Sequence, residues 1–268
     1  LEGVELSDGD LADLHLKRTR FYAPKKKQGK LKLLKKHALE EATFTAYLED
    51  GTEIALRIEG STQIKDLPET YFAYEITFLA EDGWTPLCGI DDQTGQPIHA
   101  VPLNGTWDYQ EGVETGGAWA GSDSLFTFAC EGFVLAKCVA LGYTPWSDGQ
   151  ICDTESSEDD CIEATLASRH QACTRALRAD YCGDGTSHTV DGVLLNLYDG
   201  IGIRADAEDW DLEAEWDADG ARCAIAARVS ALPAPPCLDA LALQDCGDPA
   251  HLEEETLLFT EVNISESP

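Results

Sequence analysis

A chain of 268 residues, 43% of them hydrophobic, is long enough to bury a core, which excludes global disorder. Fifty acidic residues against 19 basic ones give a formal net charge of −31, which makes duplex nucleic acid a poor partner, and none is expected. No run approaches the roughly 20 apolar residues of a membrane helix, so no span is expected.

The N-terminal LEGVELSDGD has neither a basic n-region nor an apolar h-region, so any signal peptide is expected to be already removed. The basic segment follows. Lys17, Arg18, Arg20, Lys25, Lys26, Lys27, Lys30, Lys32, Lys35 and Lys36 supply ten of the 19 bases with no acid among them, while residues 37–268 hold 45 acids against nine bases. Three readings are open: the segment folds across the chain's own acidic surface, contacts the acidic face of another copy, or binds an external anion such as phosphate or an acidic polysaccharide. The last two single out Lys25, Lys26, Lys27, Lys30, Lys32, Lys35 and Lys36.

Arg18 to Tyr22 and Leu31 to Lys35 predict a strand pair around Gln28-Gly29. Thr43 to Leu48 and Glu53 to Ile58 alternate on either side of Glu49-Asp50-Gly51-Thr52 and predict a β-hairpin. Tyr71 to Leu79, aromatic and β-branched, predicts a strand ending at an Asp82-Gly83 turn. Residues 97–123 are rich in Gly and Trp. Leu125 to Ala129 reads as a strand, and Phe133 to Leu141 as a strand or a short helix. After the acidic stretch Asp153 to Asp160 comes the best helix candidate, Ile162 to Ala179, with the acids as N-terminal capping charge and Gly183 as the left-handed stop beyond it. Val193 to Tyr198 is a further strand. Leu212 to Trp216 and Cys223 to Val229 flank Asp217-Ala218-Asp219-Gly220 as a second hairpin. LPAPP at 232–236 is a stiff connector, Cys237 and Cys246 bracket a segment able to close its own loop, and Thr256 to Val262 predicts an edge strand. The fold class is mainly β (α+β), antiparallel sheets with one conspicuous helix at 162–179. Three domains are expected: residues 1–100, 101–232 and a C-terminal 233–268.

Ten cysteines, Cys88, Cys130, Cys138, Cys152, Cys161, Cys173, Cys182, Cys223, Cys237 and Cys246, are even in number and widely spread. Tight C-x-x-C pairs of the kind zinc requires are absent, so disulfides formed in an oxidising compartment are expected.

Arg178 to Gly185 reads RADYCGDG, preceded by His170-Gln171-Ala172-Cys173-Thr174-Arg175 and followed by Ser187-His188-Thr189. With Phe126 to Cys130, Lys137-Cys138, Gly142 to Trp146, Glu215-Trp216 and Cys223, these blocks resemble the ADYC domain over residues 105–230. The resemblance implies an exported bacterial protein, secreted or at the cell surface, with disulfides. It implies no activity. His170, Cys173, Arg175 and Arg178 are expected along one helix, with its cysteines stapling it to strands.

Four chemistries compete with plain structure. Cys182 with His170 or His188 as base would make a Cys-His hydrolase, and Asp180-Tyr181-Cys182-Gly183 faintly resembles the Asp-Cys-Ser-Gly of cell-wall peptidases. Such a nucleophile usually begins a helix, whereas Cys182 ends one. A glycosidase needs two facing carboxylates, and 50 acids single out none. No cofactor is expected; weak Ca2+ binding competes with plain solvated turns at oxygen-rich loops, Asp8-Gly9-Asp10, Asp91-Asp92, Asp206 to Asp211 and Asp217 to Asp219, although none has EF-hand spacing. Trp107 and Trp119, in Gly-rich surroundings, are candidates for a sugar-stacking platform. The expectation for function is a structural or surface protein that associates with itself into fibres through charge complementarity and strand addition, with a glycan- or cation-binding module as the alternative and a hydrolase last.

Overall fold

The computed structural model describes residues 3–5, 15–24, 31–33, 39, 42–48, 51–65, 70–152, 161–247 and 258–263, with the backbone alone in 3–5, 23–24, 31–33, 148–152 and 161–165. The fold is mostly β and every strand pairing among the described residues is antiparallel. The chain packs as two compact units, Leu1–Trp107 with Trp119–Lys137, and Asp108–Ala118 with Cys138–Pro268. Residues 233–247 pack within the second unit, Leu238 and Leu241 against its core.

The first unit contains β1 (Gly3–Glu5), β2 (His15–Lys17), β3 (Arg20–Pro24), β4 (Leu31–Leu33), β5 (Thr43–Tyr47), β6 (Glu53–Ile64), β7 (Tyr71–Ala80), β8 (Gly83–Pro86), β9 (Ala100–Asn104), β10 (Thr106–Trp107), β11 (Trp119–Ala120) and β12 (Leu125–Cys130). Strands run β6-β5-β1-β12-β9-β7-β8, and β6 also pairs with β7 along its length, so the sheet closes on itself. Closure removes edges that would otherwise pair with other chains. Strand alternation fills the interior: Phe44 and Ala46 from β5, Leu56 and Ile58 from β6, Tyr74 and Ile76 from β7, and Phe126 and Phe128 from β12 are all buried. Phe21 of β3 joins them, fully buried, with ring centroids 5.7 Å from Phe44 and 5.4 Å from Phe126. Each such aromatic stabilises the fold by about 1.5–3 kcal/mol through burial. The expected hairpin is present, with Tyr47 opposite Glu53 in the β5–β6 ladder. The β3–β4 pair is present too, Tyr22 facing Leu33. Cys88 is bonded to Cys130.

Residues 134–140 form a helix, α1 (Val134–Ala140), rather than a strand. The second unit then contains β13 (Asp148–Cys152), β14 (Cys161–Thr165), α2 (Leu166–Arg178), β15 (Leu195–Tyr198), β16 (Asp211–Asp217), β17 (Gly220–Ala224), the short α3 (Leu238–Leu241) and β18 (Leu258–Val262). The helix expected from 162 starts at Leu166, because Cys161–Thr165 pairs residue for residue with Asp148–Cys152, and ladder formation outweighs a propensity of a few tenths of a kcal/mol per residue. Its acidic capping stretch, Asp153 to Asp160, lies outside the described residues.

The four-stranded sheet has the order β15-β18-β16-β17, so β18 is internal and not an edge strand. All five of its residues are buried, which a strand with neighbours on both sides permits. The 217–220 hairpin forms as expected, but β17 ends at Ala224, five residues short of Val229. Leu197, Ala214, Trp216 and Leu258 face α2, where Ala172, Cys173 and Ala176 pack against them. Small helical residues let helix and sheet approach closely. Cys138 is bonded to Cys173, Cys182 to Cys237 and Cys223 to Cys246. Cys237 and Cys246 therefore do not close a loop together, since each reaches back to an earlier segment. The staple on α2, at Cys173, leads to α1, and the one just beyond its end, at Cys182, leads to the residue preceding α3, so neither leads to a strand. Among the described residues no helix is long and apolar enough to cross a membrane.

Candidate functional site

The RADYCGDG segment begins as the C-terminal end of α2. Ala179, at φ 51°, takes the left-handed conformation that stops the helix. Its amide donates to the Ala176 carbonyl at 3.1 Å and the Asp180 amide to the Arg175 carbonyl at 2.9 Å, the paired closing bonds of a Schellman motif. The stop is thus Ala179, four residues before the expected Gly183. Gly183 also has positive φ, 68°, but for another reason: a Cβ there would run into the Asp219 carbonyl, where the segment lies against the β16–β17 turn.

Two buried ion pairs hold the segment. Arg175 Nη1 pairs with Asp180 Oδ2 and also donates to the Gly116 carbonyl at 2.6 Å, while its Nε donates to the Ala218 carbonyl at 3.2 Å. Asp180 in turn accepts the amides of Asp184 at 3.1 Å and Gly185 at 3.0 Å. The second pair is Glu213 with Arg228, bidentate at 3.0 and 2.9 Å, with both residues almost fully buried. Arg228 also caps α2 by donating to the Ala176 carbonyl at 2.8 Å. Tyr181 links the pair: its hydroxyl donates to Glu213 Oε1 at 2.5 Å and accepts the Arg228 amide at 2.7 Å. Burial, then the Glu213 charge, pushes the Tyr181 phenol well above its ordinary range. Glu213 reaches it from a β-bulge between Leu212 and Ala214, which turns its side chain off the regular alternation. Beside the pair, Leu212, Ile225, Val229 and Val262 help to line a cleft of about 420 Å3 with Glu213 and Arg228.

Cys182 is bonded to Cys237, so the thiol required by a Cys-His hydrolase is engaged elsewhere. His170 is buried in α2, and His188 is buried with its ring 6.1 Å from that of Tyr181 and no hydrogen-bond partner at Nε2. His188 does approach the helix end, its amide donating to the Arg178 carbonyl at 3.1 Å. Trp107 is buried, and Trp119 donates its indole N–H to the Asn104 carbonyl at 2.8 Å, so neither is the open platform expected. In the acidic loops, Asp91 Oδ1 accepts the amides of Gln93 and Thr94, Asp217 accepts that of Asp219, and Asp206 accepts from the Asn196 amide group. Asp8-Gly9-Asp10 lies outside the described residues. The group of three metal-ligand types drawn together among the described residues is Glu215, Cys223 and Cys246, whose two sulfurs are bonded to each other. Of the seven lysines singled out, only Lys32 falls within a described element, β4, and Lys25, Lys26, Lys27, Lys30, Lys35 and Lys36 lie outside the described residues.

Sequence reasoning found Arg175, Asp180, Tyr181 and Cys182 but not Glu213 and Arg228. The only signal for them was charged residues of opposite sign inside otherwise apolar, strand-like runs.

This is a disulfide-stapled, antiparallel β protein built around a buried, doubly ion-paired helix end. The chain belongs to the ADYC domain family, whose model matches residues 36–230, reaching well upstream of the blocks that first carried the resemblance. No curated protein and no solved structure matches it.

Proposed function

We propose that the protein is exported to an oxidising compartment, where it acts at the cell surface or outside the cell as a structural or binding component rather than as a catalyst. One observation carries this reading: the three central side chains of the RADYCGDG segment are engaged within the fold, Asp180 with Arg175, Tyr181 with Glu213 and Arg228, and Cys182 with Cys237. The four disulfides among the described residues support the compartment, since reducing cytosol disfavours them.

Within that role the chain associates with itself, its ten-base segment meeting the acidic body of another copy. Deleting residues 1–36 is a poor test, because it removes β1 and the fully buried Phe21. Light scattering across a salt series, on the native chain and on one with Lys25, Lys26 and Lys27 replaced by Gln, avoids that damage. Assemblies that dissociate as salt rises, and that weaken in the neutralised variant, support self-association. A monomer at every ionic strength refutes it.

A further inference from the structure

Three arginines of the second unit are buried to 6% exposure or less, and two have carboxylate partners: Arg175 with Asp180 and Arg228 with Glu213. The third does not. Arg169, in the first turn of α2, is 5% exposed, its Nε has no hydrogen-bond partner, and no carboxylate lies within ion-pair distance among the described residues. A buried cation without a partner is costly, and in native proteins such an exception marks a group that something else satisfies.

The carboxylate whose charge acts on Arg169, Asp199, is already filled. Its carboxylate accepts the Tyr143 hydroxyl at 2.7 Å and the amides of Ile201, Ile203 and Arg204 at 2.9, 3.1 and 2.9 Å, about four donors for about four lone-pair sites. Asp199 therefore attracts Arg169 only from a distance. Arg204 adds a second guanidinium to the field around Tyr143. Arg204 is exposed and screened by solvent, whereas Arg169 is enclosed at a helical first turn that carries no acid, on a body of net charge −31. Burial pulls the Arg169 pKa downward, the expected response of a cation short of partners.

We propose that Arg169 is the receptor of a small oxyanion, a phosphate or sulfate group or a terminal carboxylate, held at the first turn of α2. The planar guanidinium fork presents two parallel N–H groups to two oxygens of such a group, a geometry a lysine cannot reproduce. Because the residue is almost fully enclosed, the oxyanion enters as a small ion or as the narrow end of a larger molecule. The inference is independent of self-association and adds a specific ligand chemistry to the binding role.

The test is thermal unfolding of the full chain and of Arg169→Met, with low-millimolar phosphate, sulfate or acetate against sodium chloride at equal ionic strength. An apolar replacement of similar length removes the charge without leaving one unpaired. General stabilisation by excluded salts acts equally on both proteins, so the difference between them is the readout. The expected result is a rise in Tm of roughly 3–6 °C in the native chain at ten times the Kd, absent in the variant. The anion that gives the largest rise distinguishes phosphoryl or sulfuryl from carboxylate recognition. Equal shifts in both proteins, or none in either, overturn the proposal. Should Arg169→Met fail to fold, equilibrium dialysis of labelled phosphate against the native chain and Arg169→Lys decides: one site per chain, weakened in the lysine variant, supports it, and no saturable binding overturns it.

Discussion

Replacing Tyr181 with Phe removes one oxygen and leaves the ring that packs 5.2 Å from Trp216. The lost hydroxyl donates to the buried carboxyl group of Glu213 in its ion pair with Arg228, a bond worth about 1.5–3 kcal/mol, and its departure strands the buried Arg228 amide, a further cost of about 1–3 kcal/mol. Because the two effects share one group they overlap, and a loss of about 3 kcal/mol is expected, or roughly 6–12 °C in Tm at about 2–4 °C per kcal/mol. Equilibrium unfolding in urea, followed by the fluorescence of Trp216 and its neighbours, measures it. Arg228→Met alone should cost about 3–5 kcal/mol, since it leaves Glu213 charged and buried, whereas the double change Glu213→Leu with Arg228→Met should cost less than the two singles together. A Tyr181→Phe protein within about 1 kcal/mol of the native chain would refute the assignment of this hydroxyl to the fold.

Asp180→Asn should destabilise by about 3–5 kcal/mol, because Arg175 would remain charged and enclosed; chemical denaturation checks it. Gly183→Ala should destabilise by more than about 1 kcal/mol, because an Ala at that positive φ meets the Asp219 carbonyl, while Gly192→Ala, in open space, should cost less; thermal melts of the two compare them. Stability should fall in alkali: Tyr74, Tyr143, Tyr181 and Tyr198 are all raised, first by burial, and Tyr71 is pushed up to about 12. Above pH 10 the unfolded chain has released protons that the native chain retains, so the stabilisation is complete below about 10 and is lost as pH rises further. Tyrosinate absorbance from these five should therefore appear together with unfolding; their ionisation with the fold intact would contradict this.

What the sequence revealed was mostly local. The β5–β6 and β16–β17 hairpins were legible because alternation and turn residues lie within a few positions of one another. The α2 start was not, because Cys161–Thr165 pairs with a strand across the acidic stretch, and pairing is not written in propensity. Thr256 to Val262 read as an edge strand from its apolar run, but an apolar run does not say how many neighbours a strand has; Leu258–Val262 lies between β15 and β16 with all five side chains buried. The Tyr181, Glu213 and Arg228 junction spans 32 and 47 residues, and no spacing rule links such positions. Likewise Cys182 with Cys237 and Cys223 with Cys246 cross one another along the chain, so the local Cys237–Cys246 reading failed.

The most direct test of the central claim is intact mass after alkylation of the native, unreduced protein, repeated after reduction. The account predicts that the thiols of Cys88, Cys130, Cys138, Cys173, Cys182, Cys223, Cys237 and Cys246 label only after reduction. Label on Cys182 in the unreduced native protein would contradict it and return a nucleophile to the RADYCGDG segment.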